Sequence, residues 1–585
     1  MIVLGINETH CATAALIADG RVVGCASEER FTRLKNDAGY PRLAIDALLA
    51  ELHIARADID RVALAGAGAG SREWLNRVLH DEAYAREYYG VSLPSPRRLV
   101  EKRLRKLGSR LGLVETSRGK FRISQRERFD AVVEHLGVPA DRIVCLDHHS
   151  CHAAAAYFGS GFGGREALVL TNDNSGDGLC ATASTGQALA LARHEASPSA
   201  PGSLGAFYSF ATLLLGMKFG EHEYKVMGLA PYAVGKHAER AEAALRGVFD
   251  LEEGQPARFR WREPGDRYQL LLRATLGQRF DAIAGGAQRL LEDVLLRWVR
   301  LMRERYQGER LALGGGVFMN VKANMLIAGE EWVEDLFAFP SCGDESNAVG
   351  AAYLGYLQEC GRRGVPPTPA PFGPAYLGPS VTDEDAEAVI RARQLDDRYA
   401  VAYHERIEAR IADLLVADGV VARCAGRMEF GARALGNRSI LANPSDHRVV
   451  PLINRMIKNR DFWMPFAPTI LAERADEYLV NPKGLASPYM MLAMATQPQA
   501  RDTLVAAIHP QDGTARPQIL EQSWNPEYHA VIREFERRTG VGAVLNTSFN
   551  LHGDPVVCTA GDAVDTFERS GLPHLAIGHW LISKK

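Results

Sequence analysis

A short apolar run followed at once by histidines and an alanine-rich tail constrains this chain more than any other stretch. The run 143–146 is typical of a strand, and the alanines at 153–156 favour a helix that begins near the histidines. On a helix, His148 and His152 are four residues apart and share one face, so both rings can reach a single metal ion. His149 points elsewhere. Two surface histidines at a helix start are the alternative, and this stretch alone does not decide between them.

Length, charge and cysteine usage bound the class of protein. A chain of 585 residues is too long for one hydrophobic core, so we expect roughly two to four domains. The formal net charge of −3 gives no overall reason to expect a nucleic-acid or membrane partner. The nine cysteines are scattered without a CxxC pair, as in reduced, cytoplasmic proteins. With no signal peptide and no apolar run of about 20 residues, we expect a soluble cytoplasmic protein, and a homodimer remains open.

The N-terminal pattern predicts a strand, a polar turn and a hairpin. Residues 2–6 are apolar, and two further apolar runs meet at Asp19-Gly20, a strong hairpin signal. By analogy of fold, this is the opening of an actin-like, sugar-kinase-like ATPase domain. His10 lies where the turn would face a ligand, with a solvent-exposed turn histidine as the alternative. Lys35, in a charged loop, could reach a phosphate or an acyl oxygen, although a solvated lysine is commoner.

Three apolar strands end in polar or glycine-rich turns. Residues 167–170 lead into Asp173, residues 311–313 lead into three glycines, and residues 336–339 lead to Asp344. Carboxylates at strand ends are how such folds place charge beside phosphates and metal, and glycines let backbone amides approach an anion. Two imidazoles and two carboxylates suit Fe(II), Mn(II) or Zn(II). The predicted metal ligands are therefore His148, His152, Asp173 and Asp344.

Two stretches indicate the domain organisation. Residues 97–128 are densely basic, and we favour a solvated helical insertion at about 85–130 over an RNA-binding helix because aromatic residues are few. The proline-rich run 366–374 predicts a stiff linker. We therefore expect domains at 1–362 and 381–585, joined by a linker at 363–380.

The predicted C-terminal domain carries cations and amides beside its apolar runs. Arginine offers a forked pair of donors to phosphate, lysine a mobile point charge, and serine and asparagine orient the remaining oxygens. Each charge alone is typical of a solvated face, but as a set they favour a polyanion pocket. The set lies in the segments 426–439, 454–468, 512–516 and 544–550.

These motifs resemble known families. The His148-x-x-x-His152 pair, the glycines 314–316 and Gly343-Asp344 together resemble the tRNA threonylcarbamoyl-transfer metalloproteins. More closely, the segments 28–31 and 225–232 and the C-terminal motifs resemble the O-carbamoyltransferases of antibiotic and nodulation-factor biosynthesis. The resemblance covers nearly the whole chain. It implies an α/β protein with an actin-like (ASKHA-type, threonylcarbamoyl-transferase-like) domain and a following YrdC-like α/β domain.

The resemblance also implies an activity, ATP-dependent O-carbamoylation of a small-molecule natural-product hydroxyl on an antibiotic, sugar or macrolide. The YrdC-like domain would use ATP, with Mg²⁺, and carbamoyl phosphate to make carbamoyl adenylate. The family motif positions imply that its contacts with these substrates are Arg433, Lys458, Arg460, Arg516, Asn546, Ser548 and Asn550. The first domain would hold one transition metal, with Fe(II) the expected ion. His10 would be the general base and Glu8 an acceptor contact. Met464 stands where the family usually has arginine, which removes one anion contact. The expected contacts of the adenylate in the first domain are Lys35, Asn174, Ser175, Gly176, Asp177, Gly314, Gly315, Gly316 and Asn320.

Two other functions remain open at this point. Threonylcarbamoyl transfer to tRNA shares the chemistry, but the near-neutral chain and the carbamoyltransferase motifs favour a small-molecule acceptor. A non-catalytic, actin-like nucleotide-binding protein would need neither the histidine pair nor a second anion pocket. A protease is disfavoured because the glutamate of HExxH is absent.

Overall fold

The computed structural model describes residues 1–91, 122–417, 419–458 and 461–585. A five-stranded sheet opens the chain, with two antiparallel neighbours on one side of the first strand and two parallel ones on the other. The first strand, Ile2–Asn7, is buried along nearly its whole length, as expected for a strand covered on both faces. In spatial order the strands are Arg21–Ser27, Thr13–Ala18, Ile2–Asn7, Ile59–Ala65 and Ile143–Leu146.

A second five-stranded sheet repeats the order and directions of the first. An antiparallel hairpin again flanks the leading strand, and two parallel strands follow on its other side. Two such sheets in one chain are the arrangement of the actin-like fold, which confirms the fold expected for this part of the sequence. In spatial order the strands are Ala190–Pro198, Leu179–Gln187, Ala167–Gly176, Arg310–Gly314 and Asp335–Ala338.

Two helices, His148–Gly159 and Ser346–Arg363, pack between the sheets through glycine contacts. A Cβ atom at Gly5 would collide with the backbone of Ser346–Arg363, and one at Gly314 would lie 2.8 Å from the carbonyl oxygen of His152. A Cβ at Gly350 would collide with the backbone of the helix His148–Gly159. Glycine is therefore required where backbones approach this closely, and both helices are fixed against the strand ends.

Further helices and short strands complete the region 1–362, which we call the N-terminal region. The strand pairs are Phe249–Glu252 with Arg258–Trp261, and Ala69–Gly70 with Arg122–Ile123. The remaining helices are Glu29–Thr32, Arg42–Glu51, Arg72–His80, Glu82–Tyr88, Gln125–Leu136, Leu204–Leu214, Glu223–Leu229, Lys236–Arg246, Arg267–Thr275, Phe280–Tyr306 and Val321–Ala328. Most of the predicted basic insertion, residues 92–121, lies outside the described residues.

Residues 381–585, the C-terminal region, are built on an eight-stranded mixed sheet, as expected for an α/β unit. In spatial order its strands are Ala400–Tyr403, Trp580–Ser583, His574–Ile577, Val421–Cys424, Arg438–Ala442, Ala543–Ser548, Ala467–Leu471 and Gln518–Leu520. Smaller sheets pair Tyr376–Val381 with Gly426–Glu429, and join Leu479–Val480, Met494–Thr496 and Thr514–Ala515. The helices are Asp383–Ala392, Leu395–Arg398, Ile407–Val416, Val449–Ile453, Ala475–Tyr478, Pro526–Thr539 and Ala560–Glu568.

The proline-rich run packs on both regions. The backbone amide of Phe372 donates to Gly159, and that of Ala370 donates to Gly20. The hydroxyl of Tyr489 donates to the carbonyl of Gly373. All nine cysteines are free thiols. No helix in the described part of the chain combines the length and the apolar character needed to cross a membrane.

Candidate active site

The four predicted metal ligands converge on one point. The ligand atoms of His148, His152, Asp173 and Asp344 all lie within 4.8 Å of one another. Nε2 of His148 is 3.1 Å from Nε2 of His152 and 3.2 Å from Oδ2 of Asp173. Oδ1 of Asp344 lies 3.6 Å and 3.9 Å from the same two nitrogens. The structure therefore brings the whole predicted set together.

Regular elements hold each of these side chains in place. Asp147 caps the helix His148–Gly159 by accepting from the amide of Ser150, which sets both histidines one turn apart at its start. Asp173 lies within the strand Ala167–Gly176. Asp344 lies two residues before the helix Ser346–Arg363. Because the parallel strands end at one edge of their sheets, side chains far apart in sequence meet there.

A layer of polar groups orients the four side chains. Nδ1 of His152 lies 3.0 Å from the hydroxyl of Ser346, which turns Nε2 toward the cluster. The hydroxyl of Thr9 donates to Oδ2 of Asp344 at 2.6 Å, and the amide of Gly316 donates to Oδ1 of Asp173 at 3.2 Å. The side-chain amide of Asn347 lies 3.2 Å from Nε2 of His152. The sequence analysis did not identify Thr9, Ser346 or Asn347, although each is next to or close to a predicted residue.

The electrostatics of the cluster favour a cation. Burial alone would lower the pKa of His148, but the carboxylates of Asp344 and Asp173 raise it to about 9. Burial would raise the pKa of Asp173, yet hydrogen bonds from the two histidines hold it well below its usual range. His149, by contrast, bonds Thr171 at 2.8 Å, and burial beside two other imidazoles lowers its pKa to about 3.

The donor set fits a divalent transition metal. Two imidazole nitrogens that face each other at 3.1 Å, with two carboxylates beside them, give a mixed nitrogen and oxygen set of the kind that binds Fe(II), Mn(II) or Zn(II). His152 and Asp173 are almost completely buried, whereas Asp344 is more open. Such a centre can polarise a substrate oxygen.

His10 lies beside this cluster and faces the same cavity. It is next in sequence to Thr9, which bonds Asp344, and its Nδ1 lies 3.2 Å from the sulfur of Cys11. The carbonyl oxygen of His10 accepts from the side chain of Asn7 at 3.1 Å, which fixes the turn. Lys35 also lines the cavity, and it forms an ion pair with Glu221 at 3.0 Å. This pairing holds the pKa of Glu221 at about 2 despite the opposing effect of burial.

The residues expected to hold an adenylate divide into two groups. Asn174, Ser175, Gly176, Asp177, Gly316 and Asn320 line the cavity. The carboxylate of Asp177 accepts from the amides of Ala67 and His148, both at 2.9 Å, so it also ties two segments of backbone together. Gly314 and Gly315 instead make close backbone contacts, with Gly315 at a φ of +94° beside Asn172. These two glycines therefore allow close packing of the backbone and do not line the cavity.

A second polar cluster lies in the C-terminal region. Nζ of Lys458 is nearly buried and donates to the hydroxyl of Ser548 at 3.1 Å and to Oδ1 of Asn550 at 2.6 Å. The hydroxyl of Ser548 in turn donates to Oδ1 of Asn550 at 2.7 Å. Ser548 ends the strand Ala543–Ser548, and Lys458 ends a helical stretch. The three predicted residues therefore meet, with a buried ammonium at their centre.

The other predicted anion contacts lie in different places. Arg433, Arg516 and Met464 line the cavity with Lys458, Ser548 and Asn550. Asn546 is buried away from it, where its amide donates to the carbonyl of Ala434 at 3.0 Å and to Thr469 at 3.1 Å. Asn546 thus supports the loop that carries Arg433. Arg460 lies outside the described residues.

Both clusters open onto one cavity of about 1070 Å³ between the two regions. His10, His148, Asp173 and Asp344 line it from the N-terminal region, and the side chains around Lys458 line it from the other. A group of aromatic side chains that the sequence analysis did not identify also lines this cavity. They are Trp74, Tyr88, Tyr89 and Phe219.

Glu8 does not line this cavity. Its carboxylate is 1 % exposed and accepts from Nε of Arg128 at 2.5 Å, while the same guanidinium donates to the carbonyls of Ala65 and Gly66. Burial raises the pKa of Glu8, although Arg128 opposes the shift. Glu8 is therefore part of a buried structural ion pair, and its carboxylate does not face the cavity as the predicted acceptor contact would require.

Comparisons with known proteins agree with this arrangement. The family model described as carbamoyltransferase N-terminus matches residues 2–353, and that described as carbamoyltransferase C-terminus matches residues 412–584. An uncharacterized protein of Synechocystis sp. is 30 % identical over all of this chain and 96 % of its own length.

Nodulation proteins are also among the relatives. Nodulation protein NolNO of Sinorhizobium fredii is 30 % identical, over 98 % of this chain and 79 % of its own. Nodulation protein NolO of Bradyrhizobium diazoefficiens is 32 % identical, over 75 % of this chain and 79 % of its own. The two family models together span most of the sequence, including both polar clusters. The chain belongs to the carbamoyltransferase family and is a transferase that acts on carbamoyl groups.

Proposed function

We propose that this protein is an ATP-dependent O-carbamoyltransferase that makes carbamoyl adenylate from carbamoyl phosphate and ATP and transfers the carbamoyl group to a hydroxyl of a natural product. The observation that carries the proposal is that the two polar clusters line the same cavity. A transferase with a single step has no need for a second, lysine-centred anion pocket facing the first.

The first step belongs to the cluster around Lys458. Water hydrolyses carbamoyl phosphate to carbamate and phosphate, and a carbamate oxygen then attacks the α-phosphorus of ATP, which releases pyrophosphate. The ammonium of Lys458 and the guanidinium groups of Arg433 and Arg516 suit the charge of both substrates. Ser548 and Asn550 hold Nζ of Lys458 by direct hydrogen bonds. This region would act as the YrdC-like unit that the motifs suggest.

The second step belongs to the N-terminal region. The acceptor hydroxyl attacks the carbamoyl carbon, AMP leaves with the bonding electrons, and His10 takes the hydroxyl proton as general base. His148, His152, Asp173 and Asp344 would hold one transition metal, Fe(II) by resemblance to the family, and that ion supplies Lewis acidity toward a substrate oxygen when bound. Thr9 and Ser346 orient the ligands, and Asn174 to Asp177, which line the cavity, would contact the adenylate.

The shared cavity suits labile intermediates. Carbamate and carbamoyl adenylate both decompose in water, so a passage that stays inside the protein limits their loss. The aromatic side chains Trp74, Tyr88, Tyr89 and Phe219 offer flat apolar surfaces to an acceptor that carries rings. Free thiols at all nine cysteines agree with a reducing, cytoplasmic location.

Pyrophosphate release tests the first step. Purified protein should release pyrophosphate only when ATP, Mg²⁺ and carbamoyl phosphate are all present. Omission of carbamoyl phosphate, or its replacement by acetyl phosphate, should abolish the signal. Mass spectrometry after incubation with a panel of natural-product alcohols should then reveal a product heavier by one carbamoyl group. Pyrophosphate release that is independent of carbamoyl phosphate would contradict the proposal, and carbamoylated tRNA would replace the acceptor class.

A further inference from the structure

A short turn of the N-terminal region reaches into the C-terminal region. It spans residues 28–33 and includes the helix Glu29–Thr32. The turn is anchored where it starts, because the carboxylate of Glu28 accepts from the amides of Leu43 at 3.1 Å and Ala44 at 2.8 Å. The carboxylate of Glu29 accepts from the amide of Asn36 at 2.7 Å. Its two arginines therefore project from a fixed base.

Arg30 holds the loop that carries Arg433. Its side chain is 5 % exposed, and Nη2 donates to the carbonyl of Gly431 at 2.8 Å. The next residue, Ala432, donates its amide to the hydroxyl of Ser341 at 3.0 Å, and Ser341 also belongs to the N-terminal region. Gly431 has a φ of +97°, and a Cβ there would lie 2.7 Å from Ser341. Two N-terminal side chains thus fix the backbone directly before Arg433.

Arg33 holds the loop that follows Ser548 and contains Asn550. Its guanidinium donates to the carbonyls of Val556 at 2.7 Å and Pro555 at 2.8 Å. Within the same loop, the side-chain amide of Asn550 donates to the carbonyl of Asp554 at 2.7 Å. A forked guanidinium that bonds two successive carbonyls fixes both position and direction of the loop. Arg33 is therefore connected, through one loop, to a side chain that bonds Lys458.

Arg30 also adds a buried positive charge at the cavity. It lines the cavity, and its Nη1 is buried without a hydrogen-bond partner among the described residues. The nearest carboxylate that it pairs with is that of Glu29, 3.5 Å from Nε. A guanidinium with so few partners in a low-dielectric site stabilises an anion placed nearby.

We propose that Arg30 and Arg33 clamp the two loops at 431–433 and 550–556 onto the N-terminal region, and so set the affinity of the cavity for carbamoyl phosphate. The proposal rests on the proposed function for the identity of that substrate. Arg30 and Arg33 act as positioning residues through the loops that carry Arg433 and Asn550, and Arg30 also places its charge at the cavity.

Arginine-to-lysine variants test the clamp, and the control is the same substitution at another arginine that bonds across the two regions. Arg30→Lys and Arg33→Lys keep the charge but lose the fork. Arg427→Lys is the matched control, because Arg427 also bonds across the two regions, to the carbonyl of Val23 at 3.0 Å, but does not line the cavity. It bonds the carbonyl of Leu377 in the linker as well, at 2.7 Å. Hydrogen–deuterium exchange of the full chain should show faster uptake at 431–433 in Arg30→Lys and at 550–556 in Arg33→Lys, and no change there in the control.

Kinetics give the second readout. The KM for carbamoyl phosphate in pyrophosphate release should rise about tenfold in each clamp variant, with kcat within about threefold of wild type. A raised KM with a nearly unchanged kcat indicates poorly aligned loops, whereas general loss of structure would lower kcat as well. If the Arg30→Lys variant does not fold, Arg33→Lys is sufficient for the test, because the Arg33 side chain is 30 % exposed.

The outcomes separate the two proposals. Unchanged exchange in both loops would overturn the clamp, and an unchanged KM despite faster exchange would overturn its effect on affinity. If wild-type protein releases no pyrophosphate from ATP and carbamoyl phosphate, the proposed function fails, and the exchange data still decide whether the arginines hold the loops.

Discussion

His148 and His152 stand on one helix and Asp173 on a strand, whereas Arg433, Arg516 and Asn550 stand on loops. The first group is fixed by elements packed so closely that three glycines are needed. The second depends on loops, and arginines of the other region hold two of them. The candidate metal site is therefore held by elements of the N-terminal region alone. The polar cluster around Lys458 depends on contacts between the two regions.

The largest expected effect is loss of metal content when the candidate metal ligands of the N-terminal region are removed. Wild-type protein should contain close to one equivalent of transition metal, and His148→Ala/His152→Ala should contain almost none, because half of the ligand set is gone. Elemental analysis measures this. Pyrophosphate release should persist, since we assign it to the cluster around Lys458. The exposed His237→Ala is the control and should keep its metal. Full metal content in the double variant would refute the site.

The next largest effect is expected from loss of His10, the proposed general base. His10→Asn keeps size and polarity, so metal content and pyrophosphate release should stay near wild type. Carbamoylated product, measured by mass spectrometry, should fall by about 10² to 10⁴, the usual cost of removing a positioned base. Product at the wild-type rate would mean that another group accepts the proton. A parallel loss of pyrophosphate release would assign His10 a structural role.

Lys458→Ala tests the other cluster. The substitution removes a buried ammonium that Ser548 and Asn550 hold in place. Loss of a charged phosphate contact costs roughly 1.5 kcal/mol or more, so pyrophosphate release should slow at least about tenfold. Metal content should not change. The exposed Lys236→Ala serves as control, and an unaffected rate in Lys458→Ala would remove this cluster from adenylate formation.

Metal affinity should also depend on pH. In the metal-free protein, the two carboxylates raise the pKa of His148 to about 9, so a metal must displace a proton from this side chain. Affinity for Co(II), a spectroscopic probe, should rise about tenfold per pH unit from pH 7 toward 9 and then level off. Affinity that is flat over this range would show that His148 is already neutral in the free protein.

The convergence of the four candidate metal ligands could be predicted from the sequence because its signals are local. A spacing of four on a helix, and carboxylates that follow the apolar runs of two strands, point to His148, His152, Asp173 and Asp344 meeting. Partners that are distant in sequence leave no such pattern. The pairing of Glu8 with Arg128 and the contact of Gly314 with His152 connect residues more than 100 positions apart. For the same reason the sequence could not show that Arg30 and Arg33 bond the loops of the other region.

The smallest expected effect concerns Thr9, and it tests how rigidly the candidate metal ligands are held. Thr9→Val is nearly isosteric and removes the hydroxyl that donates to Asp344 at 2.6 Å. Outer groups of this kind are worth about 10- to 100-fold in metal affinity, and with three other ligands held by helix and strand we expect the low end of that range. Co(II) titration measures it. Thr275→Val, which removes a buried hydroxyl that bonds the carbonyl of Leu271, should leave the affinity unchanged. An unchanged affinity in Thr9→Val would mean that the preceding turn orients Asp344 without Thr9, and that the cluster is more rigid than its hydrogen bonds indicate.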